Sequence, residues 1–538
     1  MFSNFKLIFQ SFTLKERFVF LASFSVLIIS FIARTSFAIA ENSKLVPVAG
    51  GIYTEGIVGQ PVSLNPIISY NQTDQDISAL LYARLSDLLE SYDIGKDDRS
   101  YNLKIKEDLL WSDNHPLTSD DIIFTIKTIQ DINIASPFKT GWDGIIAERL
   151  SELQVRLNLP TPYSFLVKNI SRLPIIPKHI FGNIPINNLK LSAYNFEPVV
   201  NGPYQVKEFL KRKDGFIAEY RLIPNKNYVG SSPFIKNFYF RFFENEKKLL
   251  ESFASREING FGSLFNLRSL SENNKTIIEK IPMSRYYALF YNQQINSLLK
   301  EKNLRYALNY AIPKDKIIVE IFQGQASLTE SPLFNQDKNF GFGYNLEKAK
   351  SYFEKIDAKK RENIELNIVV PEIDLLKNTA EIIKKSWLEL GIAKVNILPL
   401  NAKDITDNIF KARNYEIVLF GNILENKEDV FPFWHSSQKF YPGLNFALYQ
   451  NSKADTLMEN IRQNLSGEES TENLNLLQKT IAEDAPAAFL FTLPYFYAHS
   501  KNLGGFAFNS SSSDFISNPN ERFKNINQWY TVKARVLK

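Results

Sequence analysis

Between Glu425 and Asn445 the chain reads ENKEDVFPFWHSSQKFYPGLN, three carboxylates (Glu425, Glu428, Asp429) followed by Phe431, Phe433, Trp434, His435, Phe440 and Tyr441. Residues of these types in one loop suit binding better than catalysis. A carboxylate can hold a cation taken out of water, which needs a paired charge because isolated transfer into low dielectric is costly. Aromatic faces offer a surface that tolerates varied side chains. Trp434, beside His435-Ser436, and Tyr441, beside Pro442-Gly443, are the rings expected to be exposed, and the others suit a core.

Catalytic patterns are missing. The four histidines (His115, His179, His435, His499) show no helical metal-pair spacing, and no HExxH, GxSxG or GxxxxGK[ST] pattern occurs. Cysteine is absent altogether, which removes thiol catalysis, disulfides, thiolate metal sites and a lipid-anchoring cysteine together. The expectation is therefore no enzyme, no cofactor and no metal.

The formal net charge is +5, but residues 1–40 hold Lys6, Lys15, Arg17 and Arg34 against Glu16, which leaves +2 for the remainder. A nearly neutral body with dispersed charge is a poor partner for phosphate backbones, so nucleic acid is excluded. The same 40 residues look like an address. A basic start precedes the uncharged run Phe18 to Ala33, and Ala38-Ile39-Ala40 is a small-x-small cleavage pattern. Export with cleavage after Ala40 is expected, with an uncleaved membrane anchor as the alternative, and either places the body outside the cytoplasm.

The elements that must position the loop are clearest from Glu362 to Gly421. Ile364, Leu366, Ile368 and Val370 alternate as in a strand. Leu376, Ala380, Ile383, Trp387 and Leu390 then recur at helical spacing up to Gly391, a stripe that belongs to the core. KVNILPL and YEIVLF are two more strands with a short helix near Asp404 to Arg413 between them, and this β-α-β-α-β order implies parallel strands. Leu304, Leu308 and Ala311 form another buried helical face, with Lys302 and Arg305 read as solvated beside it. At Trp111 the chain reads WSDNHPLTSDDIIFTIKTIQDI, where Thr118 and Asp121 form an acidic version of the capping box and Ile122, Ile126 and Ile129 share one face.

That stretch resembles the signature of the family 5 extracellular solute-binding proteins, although Asn114-His115 stands where the family has Gly-x after the aspartate. Further resemblances follow in order. They are GGIYTEGIVGQPVSLNPIISYNQTDQDISALLYARLSDLL from Gly50, NGPYQVKEF from Asn201 with NKNYVGSSPFIKNFYFRFF after it, YYALFYNQ from Tyr286 and NLRYALNYAIPKDKI from Asn303. The resemblance implies an α/β protein with the type II periplasmic-binding-protein fold, two lobes about a hinge with an extra inserted subdomain. The expected division is 1–40 as signal peptide or anchor, 41–75, 198–285 and 500–538 as the first lobe, 76–197 as the insertion and 286–499 as the second lobe.

It also implies a monomeric receptor that captures a peptide between the lobes for an ABC permease and its ATPase, or else a membrane-tethered peptide sensor or chaperone-like binder. Peptide-binding members hold the ligand's α-ammonium with an aspartate shortly after a strand. Here Glu425 is nearest that place, with Glu428 and Asp429 as competitors. Trp434, His435, Tyr441, Asn445 and Asn292 are further cleft candidates on the second lobe, and Tyr70, Asn71, Tyr82 and Trp142 on the first. Two lobes joined only by crossing strands are expected to share little apolar interface.

Overall fold

A computed structural model describes residues 11–263, 275–334, 341–464, 468–508 and 515–537. The alternating run forms strand Glu365–Pro371, paired in parallel with Lys394–Leu400 on one side and with Ile417–Ile423 on the other. Helix Asp374–Leu390 crosses between the first two. Its stripe is buried, the Trp387 indole donates to the Leu308 carbonyl at 3.0 Å, and Gly391 ends it with φ of 112°, a left-handed cap that a side chain would strain. The connection to Ile417 is a single turn, Ala402–Asp404, continued as a π-helical turn over Ile405–Lys411. Antiparallel strands Arg285–Tyr291, Ala487–Thr492 and Ser327–Leu328 complete a six-stranded sheet.

Arg305 departs from its expected place. It is buried, not solvated, because its guanidinium donates to the carbonyls of Leu299, Lys300, Asp484 and Ala485. Two of these belong to the end of helix Glu468–Asp484, where free carbonyls favour a cation.

The first lobe is a seven-stranded sheet in the order Thr276–Ile281, Tyr495–Ser500, Gly260–Ser263, Ile52–Val58, Asn237–Phe243, Ile217–Pro224 and Tyr204–Lys211. Strand Tyr495–Ser500 lies between two partners in this sheet, so its C-terminal contribution starts at Tyr495 and not at 500. The inserted segment carries a four-stranded antiparallel sheet, Leu89–Ile94, Ser100–Ile105, Gln154–Asn158 and Ile146–Ser151, against helix Ser119–Gln130. Its core is continuous with that of the seven-stranded sheet. The helix opens with the capping box, in which the Thr118 amide donates to Asp121 at 2.9 Å, and the second Asp121 oxygen accepts the Lys178 amide at 2.8 Å. Asn114 takes φ of 68° in the turn before it, a conformation asparagine tolerates where the family uses glycine.

Among the described residues the lobes meet chiefly at two places, and Phe334 of the second lobe also packs on Phe515 with 5.4 Å between ring centres. Ser284, on one crossing, donates its amide to the Ile516 carbonyl and its hydroxyl to the Leu424 carbonyl, while its own carbonyl accepts the Leu424 amide. The second contact is a lip of the insertion, Tyr163 to Arg172. The Ser164 amide and hydroxyl both reach the Arg462 carbonyl at 2.8 Å, and Lys168 pairs with Glu428 at 3.3 Å. Phe165 is fully buried in the second lobe's core, in one cluster with Phe433 and Trp434. The expectation of little apolar contact between lobes fails here, because a large ring from one lobe is seated in the other.

Helix Leu14–Glu41 stands apart. Thr13 and Glu16 form a capping box at its start, and none of its residues is buried. Its 28 residues span about 42 Å, more than the ~30 Å of a hydrocarbon layer. The helix outruns the uncharged stretch because Arg34 sits within it. Lys6, part of the basic start, lies outside the described residues. Strand Ser43–Pro47 follows directly and pairs with Lys533–Leu537.

Truncating a buried phenylalanine typically costs about 3–5 kcal/mol. Phe165→Ala should therefore weaken the contact between lobes, and small-angle scattering of the ligand-free variant should give a larger radius of gyration than wild type. An unchanged radius would show that the lip does not hold the lobes together.

Candidate functional site

Helix Gln72–Leu81 starts where the Asn71 side chain accepts the Asp74 amide at 2.8 Å. This presents Gln75, Ser78 and, just beyond its end, Tyr82 to a cavity of about 310 Å³. The adjoining first-lobe wall is the turn from Ser517 to Glu521, stapled to the helix by hydrogen bonds from Gln72 to Asn518, from Asn518 to Gln75, and from Asn520 to the Gln75 carbonyl. The insertion supplies Phe138, Trp142, Asn169 and Arg172. Trp142 is held because Gln130 donates to its carbonyl at 2.6 Å and to that of Ile145 at 2.7 Å. The second lobe contributes Ile423 and Glu425, placed by the end of strand Ile417–Ile423 and the Leu424–Ser284 clamp. All three parts of the fold thus meet at one space.

Glu425 is an exposed residue on the cavity lining, with protein packed around its carboxyl end. Burial raises its carboxyl above the usual range; Arg172 opposes that shift, and Asp429 and Glu521 add to it. No ion pair or hydrogen bond to Glu425 occurs among the described residues. Its two competitors are engaged, Asp429 accepting two hydrogen bonds from Arg462, at 2.9 Å for each oxygen, and Glu428 pairing with Lys168. Glu521 is committed as well, accepting from the Ser517 hydroxyl at 2.6 Å and from the Ser517 and Asn518 amides. Two buried donors on the wall lack a partner, the Tyr82 hydroxyl and Arg172 Nη1, although Arg172 Nη2 stands 3.8 Å from Glu521.

Of the residues singled out from sequence, Glu425, Tyr82 and Trp142 line this cavity. Trp434 was expected to be exposed and is fully buried, its indole donating to the Tyr286 hydroxyl at 3.0 Å. Asn445 is spent inside the second lobe, donating to the carbonyls of Trp434, His435 and Tyr449. Asn292 donates to the Arg413 carbonyl, and Asn71 is a helix cap. His435 stacks on Phe431 with 4.0 Å between ring centres and bonds to Ser437 and Glu459, away from the cavity. Tyr70 and Tyr441 are both exposed, as expected for Tyr441; partial burial raises the Tyr70 hydroxyl and charge repulsion from nearby Tyr441 raises it further. Arg172, Gln75, Asn169 and Asn518 went unread. Asn518 and Glu521 could have been found locally as a capping box, but not as a cavity wall. Among the described residues no cluster of histidine, aspartate and glutamate could hold a metal ion.

Two sheet-based lobes, two crossings and a ligand-sized cavity between them define a solute receptor with the type II periplasmic-binding-protein fold. The family model of bacterial extracellular solute-binding proteins, family 5, matches residues 85–441. The chain belongs to that family. It is 24% identical over 541 residues to the oligopeptide-binding protein AppA of Bacillus subtilis, covering 93% of this chain and 95% of that protein. It is 21% identical to the probable D,D-dipeptide-binding periplasmic protein DdpA of Escherichia coli, covering 90% and 96%. The structure of AppA with a nonapeptide superposes with a TM-score of 0.73 at 22% identity, covering 90% of this chain and all of that one. NikZ of Campylobacter jejuni with Ni(L-His) gives 0.72 at 21%, covering 89% and 99%, so the likeness extends over the fold and does not select a ligand.

A carboxyl held above its unfolded value binds its proton more tightly when folded, so its ionisation costs stability as pH rises from the ordinary carboxylate range through the raised value. Because the side chain is exposed, ligand-free Glu425→Gln should melt only slightly higher than wild type at neutral pH. The gain should vanish at about pH 4, below the ordinary glutamate value. Equal melting at both pH values would remove the burial strain assigned to this group.

Proposed function

We propose that this chain is the extracytoplasmic receptor of an ABC importer and that it captures peptides between its lobes for a permease and its ATPase. The observation that carries the reading is the unpaired carboxylate of Glu425 on a wall shared by both lobes. An acid already raised by burial gains most from a cation that enters with its own charge, and a peptide's α-ammonium is such a cation. The unpartnered Tyr82 hydroxyl and Arg172 Nη1 offer donors to peptide carbonyls or carboxylate. The oligopeptide- and dipeptide-binding relatives support the same reading. Nothing in it requires catalysis by this chain, and the ligand that bridges the lobes favours their closed form by its differential affinity.

In this reading the apolar helix serves export and the body lies outside the cytoplasm. Cleavage after Ala40 removes that helix and leaves strand Ser43–Pro47 with its partner intact. N-terminal sequencing of the mature protein should begin at Glu41; peptides from Phe18 to Ala33 at full stoichiometry in the membrane fraction would instead establish an anchor.

Glu425→Gln should weaken binding of free peptides by about 1.5–3 kcal/mol, the worth of a hydrogen bond to a charged group. N-acetylated peptides, which bring no ammonium, should bind both forms alike. Calorimetry that shows equal losses for the two ligands, or none for either, removes Glu425 from the site.

A further inference from the structure

Strands Ser43–Pro47 and Lys533–Leu537 make a two-stranded ribbon that joins neither of the lobes' sheets. Two strands alone are marginally stable in water, so such a ribbon gains from whatever lies against it. Lys44, Lys533 and Arg535 are exposed, and so are Leu45 at 57% and Val536 at 39%. Residues opposite one another share a face, which puts Leu45 beside Arg535 and Lys44 beside Val536. Each face thus joins an exposed apolar side chain to a cation whose stem can lie on apolar surface while its head stays wet.

The charge here has one sign. From Asn42 to Thr54 and from Arg522 to Lys538 the sequence contains no aspartate or glutamate, yet it contains Lys44, Lys524, Lys533, Arg535 and Lys538 besides the buried Arg522. Lys44, Lys533 and Arg535 form no ion pair among the described residues. A body of nearly neutral net charge therefore carries a local excess of cations.

Position supplies the partner. Only Asn42 separates the ribbon from helix Leu14–Glu41, and Arg535 donates to the Ser43 hydroxyl at 3.1 Å and to the Ala40 carbonyl at 3.5 Å, at a helix end that favours a cation. A helix that enters hydrocarbon at Phe18 crosses its ~30 Å in about 20 residues, close to Phe37, so Glu41 and the ribbon emerge among the headgroups.

We propose that the ribbon is a membrane-docking surface whose partner is the anionic headgroup layer, with Lys44, Lys533 and Arg535 on the phosphates and Leu45 and Val536 set between them. Before cleavage the helix delivers it there. After cleavage the ribbon holds the body on the bilayer without an anchor. The inference is independent of the ligand, because no ribbon residue lines the cavity.

Residues 41–538 keep every sheet, since no residue of the helix is buried, and sedimentation of this mature form with vesicles tests the surface. It should bind vesicles of equal parts phosphatidylcholine and phosphatidylglycerol, and not phosphatidylcholine alone, with a hold that weakens as salt is raised. Each cation near an anionic surface contributes about fivefold, so Lys44→Gln, Lys533→Gln and Arg535→Gln combined should lower partitioning by about a hundredfold. Lys359→Gln, Lys403→Gln and Lys453→Gln combined, which remove the same charge from exposed positions of the second lobe, should leave it nearly unchanged. Equal binding to both kinds of vesicle, binding to neither, binding that survives the ribbon substitutions, or a loss shared by the two triple variants would overturn the assignment.

Discussion

The cavity depends on one buried cation. Arg522 is almost wholly enclosed, with Nη2 at 2.8 Å from Glu55 and 2.7 Å from Asp76, and those carboxylates are equally enclosed. The Tyr497 hydroxyl donates to the second Glu55 oxygen at 2.7 Å and is itself bonded to Tyr53. Taking three charges out of water is expensive, and such a cluster adds stability only when every lone pair and proton is matched. What it secures here is placement. Glu55 is on a central strand, Asp76 on the helix that carries Gln75 and Ser78, and Arg522 on the turn that carries Asn518 and Glu521. Without the cation, the two elements that make the first-lobe wall would be held only by their surface amides, with two buried carboxylates repelling each other beneath them.

The second lobe is tied to that wall by backbone and by one ring. Ser284 fixes Leu424, and through it Glu425, to Ile516, next to Ser517 on the wall. Phe165 does for the insertion what Ser284 does for the crossing, chiefly by a different force: apolar burial is undirected, and only a few polar contacts, such as the Ser164–Arg462 hydrogen bonds and the Lys168–Glu428 pair, have to be remade when the lip returns. A hydrogen-bonded hinge at one side and a hydrophobic seat at the other suit a cleft that must open without losing its alignment.

Sequence periodicity exposed what is local. The strand at Glu365, the Trp387 stripe and the Thr118 capping box each involve residues within a turn or two of one another, so their spacing carries the information. Burial decided from afar was not legible. Trp434 sits beside polar residues in sequence, yet the hydroxyl of Tyr286, 148 positions away, accepts a hydrogen bond from its indole. Arg305 looked solvated because the carbonyls that hold it come partly from a helix ending at Asp484. Glu425 was found through family resemblance, whereas Arg172 and Asn518 acquire meaning only when segments hundreds of residues apart are brought together.

Five tryptophans are present, and all are fully buried. Trp111, Trp387, Trp434 and Trp529 are packed within the lobes, and only Trp142 lines the cavity as well. The chain therefore carries a built-in optical reporter. A ligand seated against that one indole changes the surroundings of a single chromophore over a nearly constant background of four, so occupancy of the cleft can be followed in the unlabelled protein by the colour of its own fluorescence.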